Sequence, residues 1–201
     1  MSKKGYRYFA IHKPYDMVSQ FISSHQVRLI GDLNYSFPEG IHAIGRLDNH
    51  SEGLLLLTTN PKTTKLLFQG EVPHGRTYLV QVKNKVSEDT LQKLQKGISI
   101  QIKGGGDYIT QPCKVEIVLK PAYFNNCLHE IPPHLPHTWL KIQLTEGKFH
   151  QVRKMVAAVH HKCKRLIRLS IEDIELGNMQ AGEVMELEES KFFELLKIKN
   201  Y

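Results

Sequence analysis

An α+β fold built on a mixed sheet is what this sequence predicts, and three observations predict it. Strand-like and helix-like segments interleave along the chain without a strict βαβ rhythm. The most apolar stretch, Leu54–Thr58, lies between Gly53 and Asn60-Pro61, too short for a helix, and reads as a central strand covered on both faces. Val152, Met155, Val156 and Val159 recur at i, i+3, i+4 and i+7, the buried stripe of a helix. At 201 residues the chain suits one large domain or two small lobes, and is long enough to bury a core.

The elements follow in order. Tyr8–Ile11 is a short apolar strand stopped by His12-Lys13-Pro14, and Ile41–Ile44 is a second that ends at Gly45. Pro61 suits a helix start, so Lys62–Phe68 reads as a helix ended by Gly70. Thr77–Val82 alternates as a strand does. Glu88–Lys96 is a short helix with Leu91 and Leu94 on one face, closed by Gly97. Gly104-Gly105-Gly106-Asp107 is a turn; it lacks the lysine-serine ending of a phosphate-binding loop. Cys113–Leu119 and Thr138–Leu144 are strands, and the Pro- and His-rich stretch Asn125–His137 between them is an exposed loop. Arg165–Ile171 and Val184–Leu187 complete the strands, and Ser190–Leu196 is a last amphipathic helix.

Composition narrows the function. Lysine and arginine number 27 against 20 acids, a formal charge of +7, which favours a polyanionic partner: nucleic acid or an anionic membrane surface. The basic residues concentrate in Lys148, Arg153, Lys154, Lys162, Lys164, Arg165 and Arg168, while Glu183, Glu186, Glu188 and Glu189 gather afterwards. Three cysteines with no CxxC spacing argue against a disulfide framework or a thiolate zinc site and for a reducing compartment. No apolar run reaches membrane-spanning length and the first residues lack the apolar core of a signal peptide, so a cytoplasmic protein with no membrane partner is expected. His129, His134, His137, His160 and His161 are completed by no convincing carboxylate or cysteine set, so no metal is expected.

The chemistry centres on GRLDNHSEGLLLL, residues 45–57. Asp48 is either a turn residue, since Asp-Asn-His-Ser is turn-like, or an acid mounted at the rim of a buried strand, where functional groups are held rigidly. HGRTYLVQV, residues 74–82, puts Tyr78 on a strand led by Arg76; the ring is either half-buried packing or a face for stacking on a base. EGKFHQVRKM, residues 146–155, loads a helix start with Lys148, His150, Arg153 and Lys154. Helix geometry brings Arg153 out beside the Val152/Val156 stripe, where an arginine needs an acidic partner; a solvated cationic face is the plainer alternative.

These blocks resemble one family. GRLDNHSEGLLLLT is similar to the GRLDxxSxGLLLLT signature of RNA pseudouridine synthases of the RsuA type; RTYLVQV and EGKFHQVRKM resemble two further blocks, and HKPYDMVSQF the KPxGxxS-like opening, with Tyr15-Asp16 in place of a glycine step. LPHTWLKIQLTEGKFHQVRKMVAAV resembles the RluE branch, which acts on 23S rRNA. The resemblance runs from about Tyr8 to Leu187. It implies a mostly antiparallel sheet in two lobes around a basic catalytic cleft, and a monomer that isomerises a uridine of ribosomal RNA, free or in an assembling particle, to pseudouridine without a cofactor. It assigns the essential carboxylate to Asp48, the tyrosine that packs on the base to Tyr78, and the arginine that pairs with the aspartate to Arg153. Arg46 matches the residue that holds the place of the flipped-out nucleotide.

Lys13, Arg76, Lys148, His150, Gln151, Lys154, Arg165 and Arg168 are the further RNA-binding candidates. Arg76 stands for a more usual lysine, His150 for a frequent arginine, and Phe149 where asparagine is common. The KP block begins at Lys13, which leaves no room for the S4-type RNA-binding domain of many relatives, so a stand-alone catalytic domain is expected. The competing expectations are a non-catalytic RNA-binding assembly factor, a synthase for small-subunit rRNA, and a metal-dependent nuclease using the histidines.

Overall fold

The computed structural model of the protein describes residues 5–68, 73–124, 127–199 and 201. The helix stop expected at Gly70, the start of the loop at Asn125-Asn126 and the first four residues lie outside them. The elements in chain order are β1 (Tyr8–Lys13), β2 (His42–Ile44), β3 (Glu52–Thr58), α1 (Thr63–Phe68), β4 (Arg76–Lys83), α2 (Glu88–Lys96), β5 (Ser99–Gln101) and β6 (Asp107–Ile109). They continue with β7 (Lys114–Val118), β8 (His137–Leu144), α3 (Gln151–Ala158), β9 (Cys163–Ile171), β10 (Ile174–Glu175), β11 (Val184–Leu187) and α4 (Glu189–Leu195). The class is the expected one: α+β, with mostly antiparallel strands. The chain forms two compact units, Met1–His74 with Arg168–Tyr201, and Gly75–Ile167. β9 begins in the second unit and ends in the first.

In the first unit β1 pairs antiparallel with β11 on one side and with β3 on the other, and β2 pairs antiparallel with β3. Every residue of β3 is buried, as the apolar run predicts. Each of Leu54, Leu55, Leu56 and Leu57 is withdrawn completely from water, which contributes roughly 2 kcal/mol per side chain. Two strands run beyond their expected ends because buried polar residues extend them: β1 continues through His12 and Lys13, and β3 starts at Glu52. α4 sets Phe192 and Phe193 against Tyr8, with ring centroids 4.6 and 5.3 Å apart. Asn60 donates from its side-chain amide to the Tyr8 hydroxyl, which itself donates to Glu189.

In the second unit β4 pairs antiparallel with β8, which pairs antiparallel with β7. α2 and α3 pack on the buried faces of these strands through Leu91, Leu94, Val152, Met155 and Val156. α2 has the expected bounds: Ser87 caps its start by accepting from the Thr90 amide, and Gly97 ends it at φ 97°. A Cβ at Gly97 would lie 2.2 Å from the Thr110 carbonyl oxygen, so glycine is required there. The Gly104–Asp107 turn joins β5 to β6, a hairpin too short to announce itself in the sequence.

Candidate active site

In the first unit, Asp48 sits on a turn clamped from below. The Ser51 amide donates to the Asp48 carbonyl, and β3 begins at the next residue. One residue before Asp48, the backbone of Leu47 is held on both sides by one hydroxyl: Ser19 accepts from the Leu47 amide at 2.9 Å and donates to its carbonyl at 2.8 Å. Both residues are buried. One residue after it, the Asn49 carbonyl accepts from the Met17 amide and from the Lys13 ammonium. The side chain of Asp48 is half-exposed, and Arg46 is exposed beside it in sequence. Upstream, Gly45 adopts φ 73°; a Cβ there would meet the Phe68 ring at 2.9 Å, so the entry to the turn needs glycine.

Lys13 departs from its expected place at the RNA surface. It is fully buried, and its ammonium donates to the carbonyls of Pro14, Met17 and Asn49 at 2.8, 2.6 and 3.3 Å. Burial pushes the ammonium down to about 8; the carboxylates of Glu52, Asp48 and Asp16 favour its charged form, and Arg168 opposes it. Lys13 is therefore an internal cation set behind the Asp48 turn. Arg168 is likewise inside, its Nε donating to the Leu54 carbonyl of β3 at 2.7 Å.

The Tyr15-Asp16 step, odd in the sequence, has a structural reason. Asp16 adopts φ 56°, the left-handed region that glycine favours and aspartate tolerates. Its carboxylate accepts from the Asn49 side-chain amide at 2.8 Å and faces His50 Nε2 at 3.8 Å. Tyr15 stacks on His50, with ring centroids 5.3 Å apart. The aspartate takes a glycine conformation and adds ties to the residues just after Asp48.

The second unit carries Tyr78, Arg76 and the block around α3. Tyr78 is half-buried near the start of β4, opposite Ile142 of β8. Arg153 is half-buried on the first turn of α3, with Nη1 directed at the Cys163 sulfur at 3.6 Å. Gln151 is buried: it donates to Glu146 at 2.6 Å and accepts from the Lys148 amide at 2.8 Å. Glu146 also accepts from the Gln111 amide and the Tyr108 hydroxyl, and the Tyr108 bond raises that phenol above its ordinary value. Arg76 donates to the Thr145 carbonyl at 3.3 Å.

Lys148 lies over the Tyr108 ring at 4.4 Å and Lys154 over the Phe149 ring at 5.4 Å, while Lys154 also donates to the Gln101 carbonyl. His150, at φ 55°, stacks on Phe149. Arg165, expected at the RNA surface, is buried against Glu130 at 2.9 Å. Gln151, Arg165, Lys13 and Arg168 are thus internal braces, whereas Arg46 and Lys148 are exposed, and His150 and Lys154 partly so. Sequence reasoning did not find the Ser19 brace or the Glu146 hub; a serine in a polar stretch and an acid in a basic block carry no local mark.

Asp48 belongs to the first unit, Tyr78 and Arg153 to the second. The chain has relatives among known proteins. The ribosomal large subunit pseudouridine synthase E of Vibrio parahaemolyticus is 36% identical over 178 residues, spanning 88% of this chain and 72% of the relative. The protein of that name from Xanthomonas axonopodis pv. citri is 34% identical, over 83% of this chain and 86% of its own length. A crystal structure of a pseudouridylate synthase matches at TM-score 0.74 and 26% identity, covering 97% of this chain and 76% of that one. Human RNA pseudouridylate synthase domain containing 1 shares the fold at TM-score 0.57 and 14% identity, over 90% and 78% of the two chains. The family description RNA pseudouridylate synthase matches residues 7–158, the span that carries Asp48, Tyr78 and Arg153 alike. The chain belongs to that family.

Proposed function

We propose that the protein isomerises a uridine of large-subunit ribosomal RNA to pseudouridine in the cytoplasm, acting as a monomer with Asp48 as the essential carboxylate. In this reaction the N1–C1′ bond breaks, the base turns, C5 bonds to C1′, the C5 hydrogen leaves as a proton and N1 gains one. The observation that carries the reading is the mounting of Asp48: the backbone on either side of it is bonded to Ser19, Met17 and Lys13, ahead of an entirely buried strand. A group that must meet a reacting base needs such fixed geometry; a solvated turn residue does not. Tyr78 offers a ring face and hydroxyl to the uracil, and Arg153 a permanent cation. A uridine stacked in RNA must be extruded first, at a cost of a few kcal/mol, which phosphate contacts by the exposed basic residues offset.

The test is tritium release from [5-³H]uridine-labelled, unmodified 23S rRNA by wild type and Asp48→Asn. Release by wild type with a loss of several thousand-fold in the variant is expected. No release by either protein from rRNA or ribosomal particles, with RNA binding intact, would make the protein an assembly factor. Release from 16S rRNA in place of 23S would move the substrate to the small subunit.

A further inference from the structure

The second unit carries a groove of about 480 Å³ that none of the residues discussed for catalysis line. Its floor is apolar, formed by Ile131, Pro132, Leu135 and Pro136. Its rim is basic, formed by Lys83, Lys162 and Lys164. We propose that this groove is a second RNA-binding site, taking an unpaired nucleotide of the substrate RNA with the base against the floor and the phosphates on the lysines. The identity of the RNA rests on the function proposed above.

The groove is built. The fully buried Gln81 side chain donates to the Ile131 carbonyl at 3.0 Å and accepts from its amide at 2.8 Å, which fixes the floor to β4. The Asn84 amide donates to the Pro136 carbonyl, and the Leu135 amide to the Pro132 carbonyl. The rim is fixed too: the Lys83 amide donates to the Lys162 carbonyl at 3.0 Å, and His161 Nδ1 meets the Lys83 carbonyl at 2.9 Å. A wall held at this many points keeps its shape without an occupant, which lowers the ordering cost of binding.

Charge selects the occupant. The lining holds one acid, Glu130, and it is engaged by Arg165 at 2.9 Å and Lys120 at 3.0 Å. Among the described residues no ion pair involves Lys83, Lys162 or Lys164, all three exposed. Three cations around an apolar floor match a nucleotide, which joins a flat ring to a phosphate. The groove also lies away from the uracil-facing tyrosine. Lys83 is five residues beyond Tyr78 on β4, about 17 Å along the strand. A nucleotide here is not the one that reacts, so the site acts on affinity and choice of RNA rather than on chemistry.

The test compares wild type, Lys83→Ala/Lys162→Ala/Lys164→Ala and Leu135→Ala, all altered at exposed positions, binding unmodified 23S rRNA across a salt series. The triple variant is expected to bind about tenfold or more weakly, with a log-affinity salt slope shallower by about 2. Its KM for tritium release is expected to rise with kcat unchanged. Leu135→Ala is expected to weaken binding severalfold without changing the slope.

Unchanged affinity and slope in the triple variant overturn the proposal and leave an acidic protein segment as the occupant. A loss confined to the lysines, with Leu135→Ala neutral, overturns the nucleotide in favour of bare phosphate contact. The binding readout needs no turnover: weakened rRNA binding by the variants, beside a wild type that releases no tritium, would sink the isomerase reading and keep the groove.

Discussion

The two units hold their candidate functional residues by different means. Around Asp48 the anchors are internal: the buried Ser19 hydroxyl, the buried Lys13 ammonium and a strand with no exposed residue. Around α3 the buried Gln151 is one anchor, and the others lie nearer water: Lys148 and Lys154 rest on rings, His150 stacks on Phe149, and Glu146 gathers bonds while itself partly exposed. A carboxylate that meets one atom of a base gains from rigidity, since misplacement by an ångström is expensive in rate. Cations that meet a phosphate chain gain from reach, because their attraction is long-ranged and forgiving in direction. The difference in anchoring therefore matches the difference in the tasks proposed for the two sets of residues.

The largest expected effect tests the interior anchor through pH. Folded Lys13 loses its proton near pH 8 and an ordinary lysine near 10.5, so between those values the unfolded chain binds more protons and stability rises with pH. The burden of the buried ammonium is complete below pH 8 and relieved above it. The stability of wild type relative to Lys13→Met should climb by roughly 3 kcal/mol from pH 8 to 10.5 in urea unfolding. A flat difference would mean that the ammonium is solvated and the contrast between the units is false.

Ser19→Ala comes next. It leaves the Leu47 amide and carbonyl without their partner, a loss of about 1–3 kcal/mol, and turnover should fall tenfold or more as the Asp48 turn loosens. Lost stability with full turnover would show that the brace supports the fold and not the acid.

The smallest effect is expected in the second unit. Glu146→Gln should cost about 1 kcal/mol and bring the Tyr108 phenol back down toward its ordinary value, read by ultraviolet titration. A loss as large as that from Ser19→Ala would make the two units alike.

The fold was legible where the cause was local. β3 declares itself by its leucines, and α2 by Leu91 and Leu94 on one face and Gly97 at its end. The bounds slipped where burial of a polar residue was decided from afar. Glu52 lies before the apolar run that announces the strand and yet belongs to it; Lys13 reads as a surface base and is claimed by carbonyls of residues 17 and 49. Arg165 and Arg168 look identical in composition to the exposed lysines near them, yet Glu130 and the Leu54 carbonyl, 35 and 114 residues away in sequence, draw them inside. The Asp48, Tyr78 and Arg153 blocks stood out because several fixed residues surround each; single braces such as Ser19 have no such company.

The division of the chain also orders its birth. The second unit is one continuous stretch, Gly75–Ile167, whereas the first needs residues made both before and after it. β1, made before the second unit, must wait for β11 and α4, made after it, to complete its surroundings, and β3 must wait for Arg168. The second unit can therefore close while translation continues, and the Asp48 turn gains its full support only once Arg168 and the segments after it have been made. A nascent chain stalled before Arg168 would carry a folded basic module and an unfinished acid.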